Sequence, residues 1–264
     1  MKLDTTKMLA EKDGAIGWIT FNQPEKRNAV SVEMWAAIPA IMEDFLADDA
    51  IRVIVLKGAG DRAFIAGADI SEFGEKRNSP ETTKLYDAIS GKAQAALIAS
   101  PKPVIAMING YCIGGGLAVS LTADIRIAAD NTRFAVPAAR LGLGYAWQGI
   151  KRLIGIVGPS FAKEIFFTAR QFDHEEARMM GLVNRVVPAA ELEQYVRDYA
   201  GLIAENAPLT MKAAKMSVDE LLKDPGSRDL DACDDAIMAC FASADFVEGR
   251  TAFMEKRKPQ FKGR

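Results

Sequence analysis

From Val104 to Ala123 the chain carries no charged residue, a run long enough to cross a bilayer as a helix. How this run is accommodated constrains everything else. Gly110 and the triplet Gly114-Gly115-Gly116 interrupt it, Pro101 and Pro103 precede it, and Val104-Ile105-Ala106-Met107-Ile108 has the length of a fully buried strand. Strand, glycine turn and buried helix is therefore the better parse, and the membrane reading is rejected. A strand without a polar face needs cover on both sides, which demands an α/β core.

The 264 residues, 49% apolar and 26% charged, are sufficient for a substantial core. Thirty-three Lys and Arg against 35 Asp and Glu leave a net charge of −2, so no global positive field holds a nucleic acid or an anionic membrane. Any anionic ligand must be held locally. The opening MKLDTTKMLAEKDG lacks an apolar core, which predicts neither a secretory signal nor a transmembrane start and makes the cytoplasm the expected location. Cys233 and Cys240, seven apart, read as buried thiols on one helical face rather than as a metal or redox pair, and Cys112 stands alone. The single histidine, His174, falls where Asp173 and Glu176 read as a capping box, a surface position. One histidine disfavours both a His-rich zinc site and a Ser/His/Asp triad.

Residues 15–21 alternate and are β-rich, and 52–57 form a second apolar strand. Between them Ser31 is an N-cap, followed by Met34, Trp35, Ile38, Ile41, Met42, Phe45 and Leu46 at helical spacing. Pro39 lies inside this pattern and is expected to kink or break it, at about 3 kcal/mol. A helix over 81–99, a strand over 104–109, a helix over 114–122 and a strand over 124–128 continue the alternation. Beyond Gly158 the pattern becomes helix after helix, over 160–168, 173–180, 191–206, 210–222, 230–241 and 245–256. The expected organisation is a body over residues 1–200 and a helical region over 201–264 whose apolar faces suit a partner subunit.

Nucleotide motifs fail. The nearest dinucleotide fingerprint, Gly142-Leu143-Gly144-Tyr145-Ala146-Trp147, puts an indole where the third glycine belongs, and neither a P-loop nor a Gly-x-Ser-x-Gly elbow occurs. Two small-residue turns remain, Ala66-Gly67-Ala68-Asp69-Ile70 and the segment from Asn109 to Gly116. They read either as ordinary tight turns or as places where a ligand oxygen approaches backbone N–H groups.

Phe21-Asn22-Gln23-Pro24-Glu25-Lys26-Arg27-Asn28-Ala29-Val30, the segment from Ala63 to Ile70, that from Pro103 to Gly116, and Ala252-Phe253-Met254-Glu255-Lys256-Arg257-Lys258 together resemble the enoyl-CoA hydratase/isomerase (crotonase) superfamily. The motifs stand in the family's order and span nearly the whole chain. The resemblance implies a spiral of ββα units, a C-terminal helical region that builds trimers or dimers of trimers, and an acyl-CoA thioester as substrate with no metal or other cofactor. It places an oxyanion hole on the N–H groups of Ala68 and Gly115. It assigns CoA contacts to Lys26, Arg27, Ala29, Ala66, Asp69 and Ile70, and contacts with a neighbouring subunit's CoA to Phe253 and Lys256.

The sequence also departs from the family. Where the resemblance implies two acid/base glutamates, the chain reads Ala118 and Ala138, and a methyl group relays no proton. Glu72, Asp69, Asp124 and Asp130 are the nearby acids, for which solvated or capping roles compete with catalysis; Cys112 lacks a neighbouring cation to form a thiolate. Arg140-Leu141-Gly142-Leu143-Gly144-Tyr145 resembles the methylmalonyl-CoA decarboxylase branch, which makes Tyr145 a candidate polar group. Its other reading is a packed core tyrosine, and that branch's histidine is here Ala68. The expectation is an acyl-CoA enzyme working through a stabilised enolate, with a decarboxylase or lyase step favoured over efficient hydration. Its rivals are a hydratase or isomerase using other acids, and a catalytically weak acyl-CoA-binding scaffold.

Overall fold

The computed structural model describes residues 3–72 and 79–264. Its strands alternate between two sheets. In the six-stranded sheet, β1 (Met8–Asp13) and β2 (Ile16–Phe21) form a hairpin, and β3 (Val53–Gly58), β5 (Val104–Ile108), β7 (Ile125–Ala129) and β10 (Arg185–Val187) follow β2 in parallel order. In the four-stranded sheet, β4 (Ala63–Ile65), β6 (Tyr111–Ile113) and β8 (Arg133–Ala135) run parallel, edged by antiparallel β9 (Phe172–Asp173). Each of the pairs β3-β4, β5-β6 and β7-β8 gives its first strand to the large sheet and its second to the small one. A helix follows each unit: α1 (Val32–Leu46) after the hairpin, then α2 (Pro80–Ile98), α3 (Gly115–Ser120) and α4 (Trp147–Thr168). This is the ββα spiral that the resemblance implies.

The apolar runs follow from this layering. Ile54 and Leu56 of β3, with Val104, Ala106 and Ile108 of β5, face the inner core under α1 and α2. Their neighbours Val53, Val55, Ile105 and Met107 face the opposite side, where Leu192, Val196 and Ala200 of α6 (Leu192–Ala204) cover them. Both faces are buried, so the alternation of a half-exposed strand is absent. Beyond α5 (His174–Met179) and α6 come α7 (Pro208–Leu221), α8 (Leu230–Ala242) and α9 (Ala244–Glu255). Among the described residues no helix is long and apolar enough to cross a membrane.

Four local expectations are corrected. α1 runs through Pro39 as one helix, because Met34, Trp35, Ile38, Ile41, Met42 and Phe45 are buried along it. At about 1.5–3 kcal/mol for each buried side chain, their packing outweighs the lost hydrogen bond. The glycine segment is not a bare turn, since β6 pairs within it between Gly110 and Gly114. The C-terminal half is not purely helical, because β9 and β10 complete the sheet edges, and α4 begins at Trp147 and breaks at Gly158 (φ 76°). Asp173 caps α5 by accepting the Glu175 (3.1 Å) and Glu176 (3.0 Å) N–H groups while Glu176 also pairs with Arg170 (2.5 Å), but His174 is half-buried rather than on the surface, with its Nδ1 unpartnered among the described residues. Cys233 and Cys240 do share α8, the first buried and the second half-buried.

Candidate active site

The first turn is held by the loop before α1. Arg27 and Asn28 both adopt positive φ (54° and 56°), a conformation Asn tolerates better than most residues. Asn28 is fully buried and ties the loop down. Its Oδ1 accepts the Gln23 N–H (3.0 Å), and its Nδ2 donates to the carbonyls of Ala59 (2.9 Å) and Ala63 (2.8 Å). Val30 then forms a parallel bridge to Ala68, donating to Gly67 (2.8 Å) and accepting from Asp69 (2.9 Å). That pattern uses the peptides on either side of Ala68, so the N–H of Ala68 itself points away from Val30.

Asp69 fixes the turn from beneath. One of its oxygens receives Lys26 Nζ (2.8 Å) and Gln23 Nε2 (3.2 Å), the other Ser71 Oγ (2.6 Å) and the Ser71 N–H (3.1 Å). Burial alone would raise its pKa, but these donors outweigh burial and hold the carboxyl at about 2. It is a permanent anion at neutral pH and a poor proton acceptor.

The second turn is set by close approach. A Cβ on Gly110 would meet the Arg62 carbonyl at 2.1 Å, and one on Gly116 would meet the Ile65 carbonyl at 2.1 Å. Only glycine fits there. Gly114 takes φ 52° and donates to Ala135 (2.8 Å), which starts α3 at Gly115. In the first turn of a helix the Gly115 N–H has no intrahelical acceptor. A Cβ on Gly115 would lie 3.4 Å from the Ala68 nitrogen, so the two turns abut with both N–H groups unclaimed by any acceptor among the described residues.

The surroundings are apolar. Ala138 is buried and Ala118 half-buried, and Ala68 and Tyr145 pack against the core cluster that contains Ala138, Leu117 and Cys112. The Tyr145 ring meets Phe166 edge-on at 5.0 Å and crosses Gly149, where a Cβ would lie 3.1 Å from it. Burial, and then the nearby Cys112, push its phenol up to about 12. It is therefore a neutral donor at physiological pH, and among the described residues its hydroxyl has no hydrogen-bond partner. Burial likewise pushes the Cys112 thiol up to about 12, which removes it as a nucleophile.

The other acids are engaged elsewhere. Glu72 accepts the Val32 N–H (2.9 Å) at the start of α1, Asp124 accepts the Val104 N–H (2.7 Å) and Lys215 (2.8 Å), and Asp130 accepts the Ala189 N–H (3.0 Å). Of the expected CoA contacts, Lys26, Ala29, Ala66 and Asp69 come together around the first turn, and Arg27 extends over the Tyr111 ring at 5.2 Å. The Ile70 side chain lies outside the described residues. Phe253 and Lys256 stand on the surface at the end of α9. Gln23, Asn28, Ser71 and Gly149 shape the site without having been singled out in the sequence.

The sequence profile of the enoyl-CoA hydratase/isomerase family matches residues 11–264. The short-chain-enoyl-CoA hydratase of Clostridium acetobutylicum is 34% identical over 263 residues, covering 99% of this chain and 100% of that one. The crotonyl-CoA hydratase of Syntrophomonas wolfei is 34% identical over 254 residues, 96% of this chain and 97% of that one. A solved enoyl-CoA hydratase/carnithine racemase from Magnetospirillum magneticum superposes with a TM-score of 0.94 at 36% identity, over 99% of this chain and 97% of that one. With glycine turns, layered sheets and full-length similarity in agreement, the chain belongs to the enoyl-CoA hydratase/isomerase family.

Proposed function

We propose that this chain holds an acyl-CoA thioester with its carbonyl oxygen between the N–H groups of Ala68 and Gly115 and turns it over through an enolate. Loss of CO2 from a malonyl-type thioester is favoured over hydration. The observation that carries this reading is the abutment of two donors unclaimed among the described residues, and the chain has alanine at 118 and 138, where the family resemblance puts the acid/base glutamates. Each preorganised donor supplies roughly 3 kcal/mol to a developing oxyanion. Hydration also needs a proton relay, whereas departure of CO2 generates the enolate without a base. A glutamate here would repel the substrate carboxylate, and alanine removes that repulsion. Tyr145, neutral and without a hydrogen-bond partner among the described residues, donates to the carboxylate or to the thioester oxygen.

Lys26, Arg27, Ala29, Ala66, Asp69 and Ile70 form the CoA-facing segment, and Phe253 and Lys256 reach the CoA of a neighbouring subunit. Assembly as a trimer or a dimer of trimers uses the helices of 201–264. In their support, a groove of about 630 Å³ opens between α7, α8 and α9, and Met238, Phe241 and Val247 stand exposed.

The named hydratases among the relatives favour a second reading, hydration through another acid, against which stand the engagements of Glu72, Asp124 and Asp130. Turnover of methylmalonyl-CoA and of crotonyl-CoA by the purified protein separates the two. The expected result is CO2 release from the first, lowered at least tenfold by Tyr145→Phe, about 1.4 kcal/mol, with CoA affinity unchanged. No CO2 from any malonyl-type thioester refutes the decarboxylase reading. Crotonyl-CoA hydration at roughly 10 s⁻¹ or more puts the hydratase in its place, and binding without turnover leaves a scaffold.

A further inference from the structure

The polypeptide turns back on itself after α9. Lys256 has φ 57°, a left-handed conformation that a residue with a Cβ adopts only when its surroundings hold it there. At the reversal the Arg257 N–H donates to Ala252 (3.0 Å). The returning chain is then fastened along one stripe of α9. Arg257 makes a two-pronged pair with Glu248 (2.6 and 2.9 Å), whose carboxylate also accepts the Gln260 N–H (2.8 Å). The Phe261 ring lies 3.3 Å from where a Cβ on Gly249 would stand. Farthest back, the N–H groups of Lys262 and Gly263 each reach one oxygen of Asp245 at 2.7 Å. Asp245, Glu248 and Gly249 have the i, i+3, i+4 spacing of one helix face.

Asp245 is the deepest of these fastenings, 3% exposed, and bonds to a charged acceptor are the stronger kind. From the body of the protein, Arg52 adds a bond to the Phe261 carbonyl (3.4 Å). At the apex of the fastened hairpin stand Phe253, 83% exposed, and the strained Lys256. The turn at Lys256 is closed by its own N–H on Phe253 (3.3 Å) and by the Arg257 N–H on Ala252, and the strap continues from it back along α9.

We propose that Asp245 is a positioning residue, which clamps the returning C-terminal chain onto α9 and so holds Lys256 ready to meet the phosphates of a CoA. Asp245 lies eleven residues from Lys256, roughly 16 Å along the helix, and touches no ligand itself. The proposal rests on the acyl-CoA reading of the preceding section.

Two measurements on the full-length protein test it. Hydrogen exchange at the Arg257 amide reads the clamp without ligand, and Asp245→Ala is expected to speed it at least tenfold. Calorimetry compares acetyl-CoA with acetyl-pantetheine, which lacks the nucleotide phosphates. Asp245→Ala is expected to weaken acetyl-CoA at least fivefold and to leave acetyl-pantetheine unchanged. Lys256→Ala should do the same, and the double variant should lose no more than either single one, because both act through one contact. Asp245→Asn, which keeps one acceptor oxygen, should recover part of the loss. Unchanged exchange, or equal weakening of both thioesters, overturns the positioning role. Failure of the unaltered protein to bind acetyl-CoA refutes the acyl-CoA reading itself, and this proposal with it.

Discussion

Gly115→Ala is expected to leave the protein folded and destroy its turnover, a combination that only an oxyanion role for the Gly115 N–H explains. The added methyl would sit 3.4 Å from the Ala68 nitrogen, an ordinary van der Waals approach. Gly115 opens α3 without positive φ, so alanine is tolerated there and gains up to about 1 kcal/mol from reduced unfolded-state entropy. An oxyanion bound by both donors must lie about 2.9 Å from each nitrogen. The methyl carbon, attached on the Gly115 side and 3.4 Å from the Ala68 nitrogen, stands in the gap between the two donors and so crowds that space. Loss of one donor predicts a fall of about 10²–10³ in turnover, some 2.7–4 kcal/mol.

The control is the next residue. A Cβ on Gly116 would meet the Ile65 carbonyl at 2.1 Å, backbone that cannot give way, so Gly116→Ala should lose about 3 kcal/mol or more of stability. Thermal melts, free CoA affinity and CO2 release from methylmalonyl-CoA read the three quantities. A Gly115→Ala protein with full turnover and a normal melt would refute the oxyanion placement.

Asp69, with its carboxyl held at about 2 against a reference of 3.8, contributes stability that is fully present above about pH 4 and disappears as the pH falls through 2. The contribution is roughly 2 kcal/mol, so unfolding free energies from pH 5 to 2 should fall more steeply for the natural protein than for Asp69→Asn; parallel curves would contradict this. Ala118→Glu together with Ala138→Glu should raise crotonyl-CoA hydration by about 10²-fold or more, and an unchanged rate would mean that these positions do not face the acyl group. Light scattering should give a trimer or hexamer, and a monomer at micromolar concentration would count against the assembly.

What was legible in the sequence depended on whether neighbours in the chain or partners across the fold decide the conformation. The buried strands 53–58 and 104–108 announce themselves, because strands covered on both faces have no polar register. The three-residue strands of the small sheet do not, since β4, β6 and β8 are too short for a period and exist by pairing with one another. Pro39 misled because propensity is local while the packing of α1 is not. The glycine turns could be found as motifs, but the side chains that hold them were hidden. Asn28 acts on the carbonyls of Ala59 and Ala63, more than thirty residues away, and Asp69 becomes a fixed anion only once Gln23 and Lys26 fold over it.

The division of labour among these residues bears on how one scaffold accommodates different chemistries. The groups that shape the donor pair, Asn28, Asp69 and the close-packed glycines, are saturated with partners or confined by backbone. Changing any of them disturbs the fold. Ala118 and Ala138 have only their backbone groups in the hydrogen-bond scheme, through the Ala118 N–H on Gly114 (3.0 Å) and the Ala138 carbonyl beneath Leu141 (3.1 Å) and Leu143 (3.0 Å). Replacing their side chains breaks no side-chain hydrogen bond and costs packing and, for a carboxylate, desolvation. On the proposed reading, proton-transfer groups can be gained or lost at these two positions without dismantling the donor pair, and the site with two methyl groups suits substrates that form their own enolate. A neutral phenol survives that loss better than a carboxylate, because Tyr145 tolerates burial without carrying charge.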